Sequence, residues 1–98
     1  MRMENFFMKN ILISKISDQK FKVTLDCKIR TEHIVTVDDK IYEELTNKVV
    51  SKKELLQISF EFLLKKEQNS SILPSFELHI IQNYFPDYID HIKSICEN

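Results

Sequence analysis

The chain has 98 residues, of which 43% are hydrophobic and 30% charged, and its formal net charge is −1 at pH 7. This length suits one domain, and the mixture of apolar and charged side chains predicts a folded chain rather than a disordered one. With 14 basic against 15 acidic residues, no overall field attracts nucleic acid or an anionic membrane, so any such contact has to be local.

Glycine is absent from the sequence, and this excludes the usual form of several functional motifs. Phosphate-binding loops, dinucleotide fingerprints and nucleophile elbows use glycine where the backbone takes positive φ or approaches a ligand closely. The two cysteines, Cys27 and Cys96, have no Cys-x-x-Cys partner and are too few for a disulfide framework, so both are expected to be reduced and inert. No apolar run approaches the ~20 residues of a membrane span, and no signal-peptide cleavage site is recognisable. We therefore expect a soluble, cytoplasmic protein without membrane association.

Residues 1–9 are predicted to form a flexible N-terminal extension, because a regular hydrophobic pattern begins only after them. From residue 10 to residue 37, apolar and polar side chains alternate, which is typical of strands with one buried face. The clearest strand has a buried face consisting of Phe21, Val23, Leu25, Cys27 and Ile29. Its exposed face consists of Lys22, Thr24, Asp26, Lys28 and Arg30. Short polar turns separate three such strands, and this arrangement predicts an antiparallel meander.

Helical spacing replaces the alternation at Asp38, which is a suitable N-cap for a short helix ending near Asn47. Ser51 and Glu54 have the spacing of a capping box and predict a second helix. Apolar residues occupy most of the circumference of this helix, so we expect it to be central and covered on several sides. Lys65 and Lys66 at its end suit the negative end of the helix dipole.

Two further helices are predicted in the C-terminal third. Asn69 suits a left-handed turn after the central helix, and Ser75 is a candidate N-cap for the third helix. Pro86 ends that helix and starts a fourth, in which Tyr88 and Ile95 are expected to face inward. Residues 10–98 are thus predicted to form a single α+β domain. Its three-stranded antiparallel β-meander is packed on one face by the central helix and the C-terminal helices.

No catalytic, cofactor or metal site is predicted. His33, His79 and His91 lie on three different elements, without the i,i+4 spacing of a helical metal site. The adjacent carboxylates Asp38 and Asp39 are explained by helix capping rather than by acid–base chemistry. We therefore expect a protein that is not an enzyme.

Basic residues on the exposed strand face form a candidate nucleic-acid contact. These residues are Lys22, Lys28 and Arg30, with Lys15 expected beside them on the neighbouring strand. Asp26 interrupts the set, and no aromatic side chain lies among the cations to stack on bases. A solvated outer face is the favoured interpretation, and nucleic-acid contact is the alternative.

The corner around Pro86 carries Tyr84, Phe85 and Tyr88. Packing in the core accounts for most aromatic residues of this region. If these three side chains are partly exposed, however, they form a protein-contact patch of the kind found at interfaces.

Two resemblances concern larger stretches. The succession Val35-Thr36-Val37-Asp38-Asp39, Ile41-Tyr42-Glu43-Glu44-Leu45 and Ser51-Lys52-Lys53-Glu54-Leu55-Leu56 resembles a ribbon-helix-helix module. That resemblance implies an intertwined dimer whose strands read the DNA major groove, as in transcriptional regulators and antitoxins. Residues 59–67, Ile72-Leu73 and Tyr84-Phe85-Pro86-Asp87-Tyr88 are similar to a family of short bacterial proteins of unknown function, and this similarity implies a self-contained domain without an activity.

From these observations we predict a non-enzymatic protein-protein interaction or regulatory module. An unidentified protein is its expected partner, and a homodimer formed through a sheet edge or the aromatic corner is one form of the hypothesis. DNA binding of the ribbon-helix-helix kind is the alternative.

Overall fold

The computed structural model describes residues 10–97, which form a mixed four-stranded sheet and four α-helices. The predicted N-terminal extension, residues 1–9, lies outside the described residues. In chain order the elements are β1 (Ile11–Lys15), β2 (Lys20–Asp26), β3 (Arg30–Thr36), α1 (Asp39–Thr46), α2 (Lys52–Lys66), β4 (Ser75–Glu77), α3 (Ile81–Tyr84) and α4 (Tyr88–Cys96). Two short 3₁₀ turns, Asn69–Ser71 and Leu78–Ile80, flank β4.

The predicted meander is confirmed for β1, β2 and β3, which pair antiparallel in that order. Val23 lies opposite Ile13 on one side and His33 on the other. One face of the sheet is buried, since Phe21, Val23 and Leu25 are inaccessible to solvent, as predicted from their alternation. This face and the helices enclose a common core.

The sheet differs from the prediction in having a fourth strand, β4, which runs parallel to β3. We expected Ser75 to cap a helix, but Ser75–Glu77 is extended and places Phe76 opposite Val35. Hydrogen bonding explains the difference. The Ile34 amide donates to the Pro74 carbonyl at 2.9 Å, so the chain after Pro74 pairs with the edge of β3 that β2 does not occupy. Tertiary pairing has overridden the local helical spacing, and only Ile81–Tyr84 forms the predicted third helix.

Strand β2 ends earlier than its hydrophobic pattern indicates. Cys27 is only half-buried, and Ile29 is 62% exposed although it was predicted to face the core. The turn after Asp26 is fixed by a residue far along the sequence, since the Asn69 side-chain amide donates to the Ile29 carbonyl at 2.7 Å. Asn69 itself is buried in a 3₁₀ turn, so its predicted left-handed conformation is wrong.

The predicted ends of α1 and α2 are confirmed. The Asp38 carboxylate accepts hydrogen bonds from the backbone amides of residues 40 and 41, at 3.0 and 3.2 Å. Asn47 closes α1 in the left-handed conformation, with φ of 53°. Ser51 and Glu54 form the reciprocal bonds of the capping box at 3.1 and 2.8 Å. These local contacts fix where α1 begins and ends and where α2 begins.

Helix α2 is the central helix of the domain, as predicted. Leu55, Leu56 and Phe60 are inaccessible to solvent, and Phe62 and Leu63 are almost so. Its C-terminal end contributes to the candidate site described next.

Candidate functional site

An apolar cleft opens between the C-terminal end of α2 and the segment from residue 71 to residue 85. We call it the aromatic cleft, and its principal lining residues are Leu63, Glu67, Leu73, Phe76, Tyr84 and Phe85. Its volume is about 170 Å³. Small-molecule sites usually measure about 300–1,000 Å³, so this cleft suits a single side chain better than a whole metabolite.

Two exposed apolar side chains stand at the cleft. Tyr84 is 64% exposed and Leu73 is 43% exposed, although both are large enough to contribute to a core. Phe85 is half-buried and packs edge-on against Phe62 with ring centroids 6.0 Å apart. The structure therefore brings two residues of the predicted contact patch, Tyr84 and Phe85, into one cleft.

The third residue of the predicted patch, Tyr88, faces inward as predicted for the fourth helix, so it does not belong to a contact surface. Ile95, also expected to face inward, is 40% exposed, so that prediction is wrong. Tyr88 is fully buried, and its hydroxyl lies 2.6 Å from the Ser59 hydroxyl on α2. Burial raises the pKa of Tyr88 well above its ordinary value, while the hydrogen bond with Ser59 opposes that shift. The sequence contained one signal for this contact: Ser59 lies within the apolar face of α2, where a buried hydroxyl needs a partner.

A buried polar network positions one wall of the cleft. The carbonyl oxygen of Leu73 lies 2.7 Å from Nδ1 of His33, so that ring nitrogen must donate. Thr31 Oγ1 lies 2.9 Å from Nε2 of His33 and accepts from the Asn69 amide, also at 2.9 Å. The loop that carries Leu73 is thereby fixed to β3. Nothing in the sequence alone indicates this positioning role of His33.

A carboxylate lines the largely apolar cleft, whose only other polar lining residue besides Tyr84 is Ser71. Glu67 is half-buried at the C-cap of α2, and within residues 10–97 its side chain makes neither an ion pair nor a hydrogen bond. The neighbouring Lys66 is already engaged, since its Nζ donates to Asp87 at 3.1 Å. That hydrogen bond lowers the pKa of Asp87. The cleft therefore combines an apolar floor with one carboxylate that has no ion-pair partner among the described residues.

The candidate nucleic-acid residues are not gathered into one cationic surface. Lys22 lies between Ser14 and Ile34, while Arg30 lies opposite Asp26. Lys28 is in the turn between β2 and β3.

Two details of that predicted face are wrong. Lys15 lies opposite Phe21 and so belongs to the other face of the sheet, where its Nζ is 3.2 Å from Asp18. Thr24, expected to be exposed, is only 5% exposed and lies between Leu12 of β1 and Glu32 of β3.

The remaining histidines are not assembled into a site. His91 stacks on Phe62 with centroids 5.1 Å apart, and Nδ1 of His79 lies 3.7 Å from Glu77. Across residues 10–97, no group of three His, Cys, Asp or Glu side chains could hold a metal ion. No helix in this part of the chain combines the length and apolar character needed to cross a bilayer.

The resemblance to the ribbon-helix-helix module extends to the order of elements, since β3, α1 and α2 follow one another. In that module the strand pairs with a second copy, whereas β3 is paired on one edge with β2 and on the other with β4. Comparison of the chain with protein-family models, with curated proteins and with solved structures found no match.

Proposed function

We propose that this protein is a non-enzymatic interaction module that binds another protein through the aromatic cleft. The observation that supports this most strongly is the exposure of Tyr84 beside an apolar cleft that holds Phe85 and Phe76. Tyrosine contributes a large, rigid apolar area together with a polar hydroxyl, and it is enriched where proteins bind one another.

The size of the cleft agrees with a protein ligand. A volume of about 170 Å³ holds one anchoring side chain, and interfaces commonly concentrate their binding energy in such anchors. Leu73 extends the apolar surface beyond the cleft opening, so a partner can cover more than the anchor alone.

Several groups that could perform chemistry are instead occupied in holding the fold. The Tyr88 hydroxyl is bonded to Ser59, and both ring nitrogens of His33 have partners. These bonds give the residues a structural role and support a binding function rather than catalysis.

Site-specific photo-crosslinking tests the proposal in the native cell. The reactive residue p-benzoylphenylalanine replaces Tyr84 in one variant and Leu12 in the control, because Leu12 is 51% exposed on the opposite face of the sheet. We expect a discrete crosslinked protein from position 84, with a yield that falls when Leu73→Asp is added. Equal yields from positions 84 and 12, or a yield insensitive to Leu73→Asp, would contradict the proposal.

A second pair of variants separates protein binding from DNA binding. Lys22→Ala combined with Lys28→Ala and Arg30→Ala removes the candidate cations but leaves the cleft intact. We expect this variant to retain the crosslink from position 84. Loss of the crosslink together with loss of salt-dependent retention on DNA would favour the DNA-binding alternative.

A further inference from the structure

Strand β4 presents an unpaired backbone edge beside the aromatic cleft. In a parallel pair, alternate residues of a strand bond to its neighbour, and the Ile34 amide bonds to the Pro74 carbonyl. The backbone groups of Ser75 and Glu77 consequently point away from β3. Within residues 10–97 no further strand pairs with them. Such an edge is a template for an added strand.

Phe76 connects this edge to the cleft. It lies between Ser75 and Glu77 in β4, and its side chain lines the cleft and packs on Phe60 with centroids 6.1 Å apart. Side chains of directly opposed residues project from the same face of a sheet. A residue placed opposite Phe76 by an added strand would therefore direct its side chain toward the cleft.

Glu67 indicates the charge of the ligand. Its carboxylate lies at the C-terminal end of α2, a 15-residue helix, where the helix dipole disfavours negative charge. Lys66 bonds to Asp87 instead, and no cation within the described part of the chain pairs with Glu67. A basic side chain brought by a ligand would give Glu67 an ion-pair partner and would offset its unfavourable interaction with the helix dipole.

We propose that the aromatic cleft binds an extended segment of a partner protein, which pairs with β4 as a fifth strand. One aromatic or large aliphatic side chain of the segment enters the cleft beside Phe76 and Tyr84. A lysine or arginine two residues away, on the same face of the strand, pairs with Glu67. This inference rests on the proposed function and specifies its ligand.

A second copy of this chain fits the site less well. Its β4 could supply Phe76, but residues 72–80 contain no lysine or arginine and add the carboxylate of Glu77. Two copies joined through β4 would thus leave Glu67 unneutralised on both sides. The charge of the cleft favours a different, basic polypeptide.

Peptide selection tests the inference with a defined probe. A display library of random nonapeptides is selected on the immobilised full chain and counter-selected on Tyr84→Ser, whose fold is checked by circular dichroism. We expect the enriched peptides to share an aromatic or large aliphatic residue, a lysine or arginine two positions away, and no proline between them. Enrichment of proline-rich peptides, of peptides without a basic residue, or of none at all would overturn the inference.

The enriched peptide is then synthesised and its affinity measured for three forms of the protein. Glu67→Gln should weaken binding by about fivefold, as expected for loss of one partly solvated ion pair. The control Glu44→Gln removes an exposed carboxylate of α1 and should leave the affinity unchanged. Binding should also shift the amide resonances of Ser75 and Glu77, and methylation of the peptide's bonded backbone nitrogens should abolish it. Equal affinity for wild type and Glu67→Gln would contradict the pairing of a basic residue with Glu67, and indifference to methylation would contradict strand addition.

The two proposals can fail separately. A crosslink from position 84 without the expected peptide pattern would leave a protein-binding cleft whose ligand is not a basic strand. Absence of the crosslink would remove the proposed function, and the strand inference with it.

Discussion

Residues 10–66 and residues 67–97 form two regions that differ in one respect. The helix ends of the first are set by side chains close in the sequence, whereas the second is held to β3 and the turn before it by side-chain contacts that span 40 residues. Asp38 and the pair Ser51 and Glu54 cap the helices that they begin. By contrast, Asn69 bonds to the turn between β2 and β3, 40 residues earlier, and Leu73 is held by His33. The aromatic cleft lies in the second region, so its shape depends on residues that do not line it.

Phe60 joins the two regions, and removing its side chain should have the largest effect on stability. The residue is inaccessible to solvent, and its ring packs on His33 at 5.9 Å and on Phe76 at 6.1 Å. Phe60→Ala should lower the free energy of unfolding by about 3–5 kcal/mol, the usual cost of a large core cavity. Urea denaturation measures this change. A loss below about 1 kcal/mol would show that the two regions do not share one core.

Asn69 tests whether the cleft wall is set from a distance. Asn69→Ala removes the donors to the Ile29 carbonyl and to Thr31, and should cost about 2 kcal/mol. Hydrogen exchange should rise in residues 68–74, while the helix caps of α1 and α2 remain protected. Equal loss of protection throughout the chain would contradict the division into two regions.

The buried pair of Tyr88 and Ser59 allows a double-mutant cycle across the regions. Tyr88→Phe leaves the Ser59 hydroxyl buried without its partner and should cost about 1–2 kcal/mol. Adding Ser59→Ala should recover part of that loss, because both hydroxyls are then absent. Thermal unfolding of the four proteins measures the coupling, and purely additive costs would show that the bond contributes nothing.

Acid titration probes a contact within the first region. The hydrogen bond from Lys52, with a second from Gln19, lowers the pKa of Asp39 below its ordinary value of 3.8. A lowered pKa in the folded state means that this stabilisation is present above pH 3.8 and is lost as the pH falls below that value. Asp39→Asn should therefore be less stable than wild type at pH 6 and should approach it near pH 2. Because Asp39 is exposed, the effect should be small, and a difference that persists unchanged at pH 2 would refute this origin.

Substitution of Glu67 should give the smallest change in stability, and the change should be an increase. Glu67→Gln removes a negative charge from the C-terminal end of α2 and should raise stability by about 0.3–1 kcal/mol. The same substitution is expected to weaken ligand binding. Chemical denaturation and the binding measurement together test whether Glu67→Gln is more stable but binds more weakly. A purely structural role for Glu67 would not produce this combination.

The contrast between the regions also explains what could be predicted from the sequence. The alternation around Phe21 and the capping signals at Asp38 and Ser51 depend on neighbouring residues, and all three predictions are confirmed. The strand at Ser75 was missed because its pairing with β3 joins residues about 40 positions apart. No local pattern records such a contact.

The candidate site was predicted only in part, because it too depends on contacts between residues far apart in the sequence. Tyr84 and Phe85 were identified from their chemical character, and the structure places both in the cleft. Tyr88 was predicted to face inward and also, if exposed, to join the contact patch, and the structure buries it with its hydroxyl bonded to Ser59 of α2. Glu67 escaped notice because its significance lies in the absence of an ion-pair partner within the described residues, a property that only the fold reveals.

The central claim is that a partner protein binds at the aromatic cleft and pairs with β4. Protection of backbone amides from hydrogen exchange in the bound state tests it most directly. Hydrogen exchange would be measured on the full chain with and without the protein captured through position 84. We expect slower exchange at Ser75, Glu77 and the residues around Tyr84, with no change at Lys22 on the outer face of the sheet. Protection confined to the outer face, with β4 and the cleft unaffected, would contradict that claim.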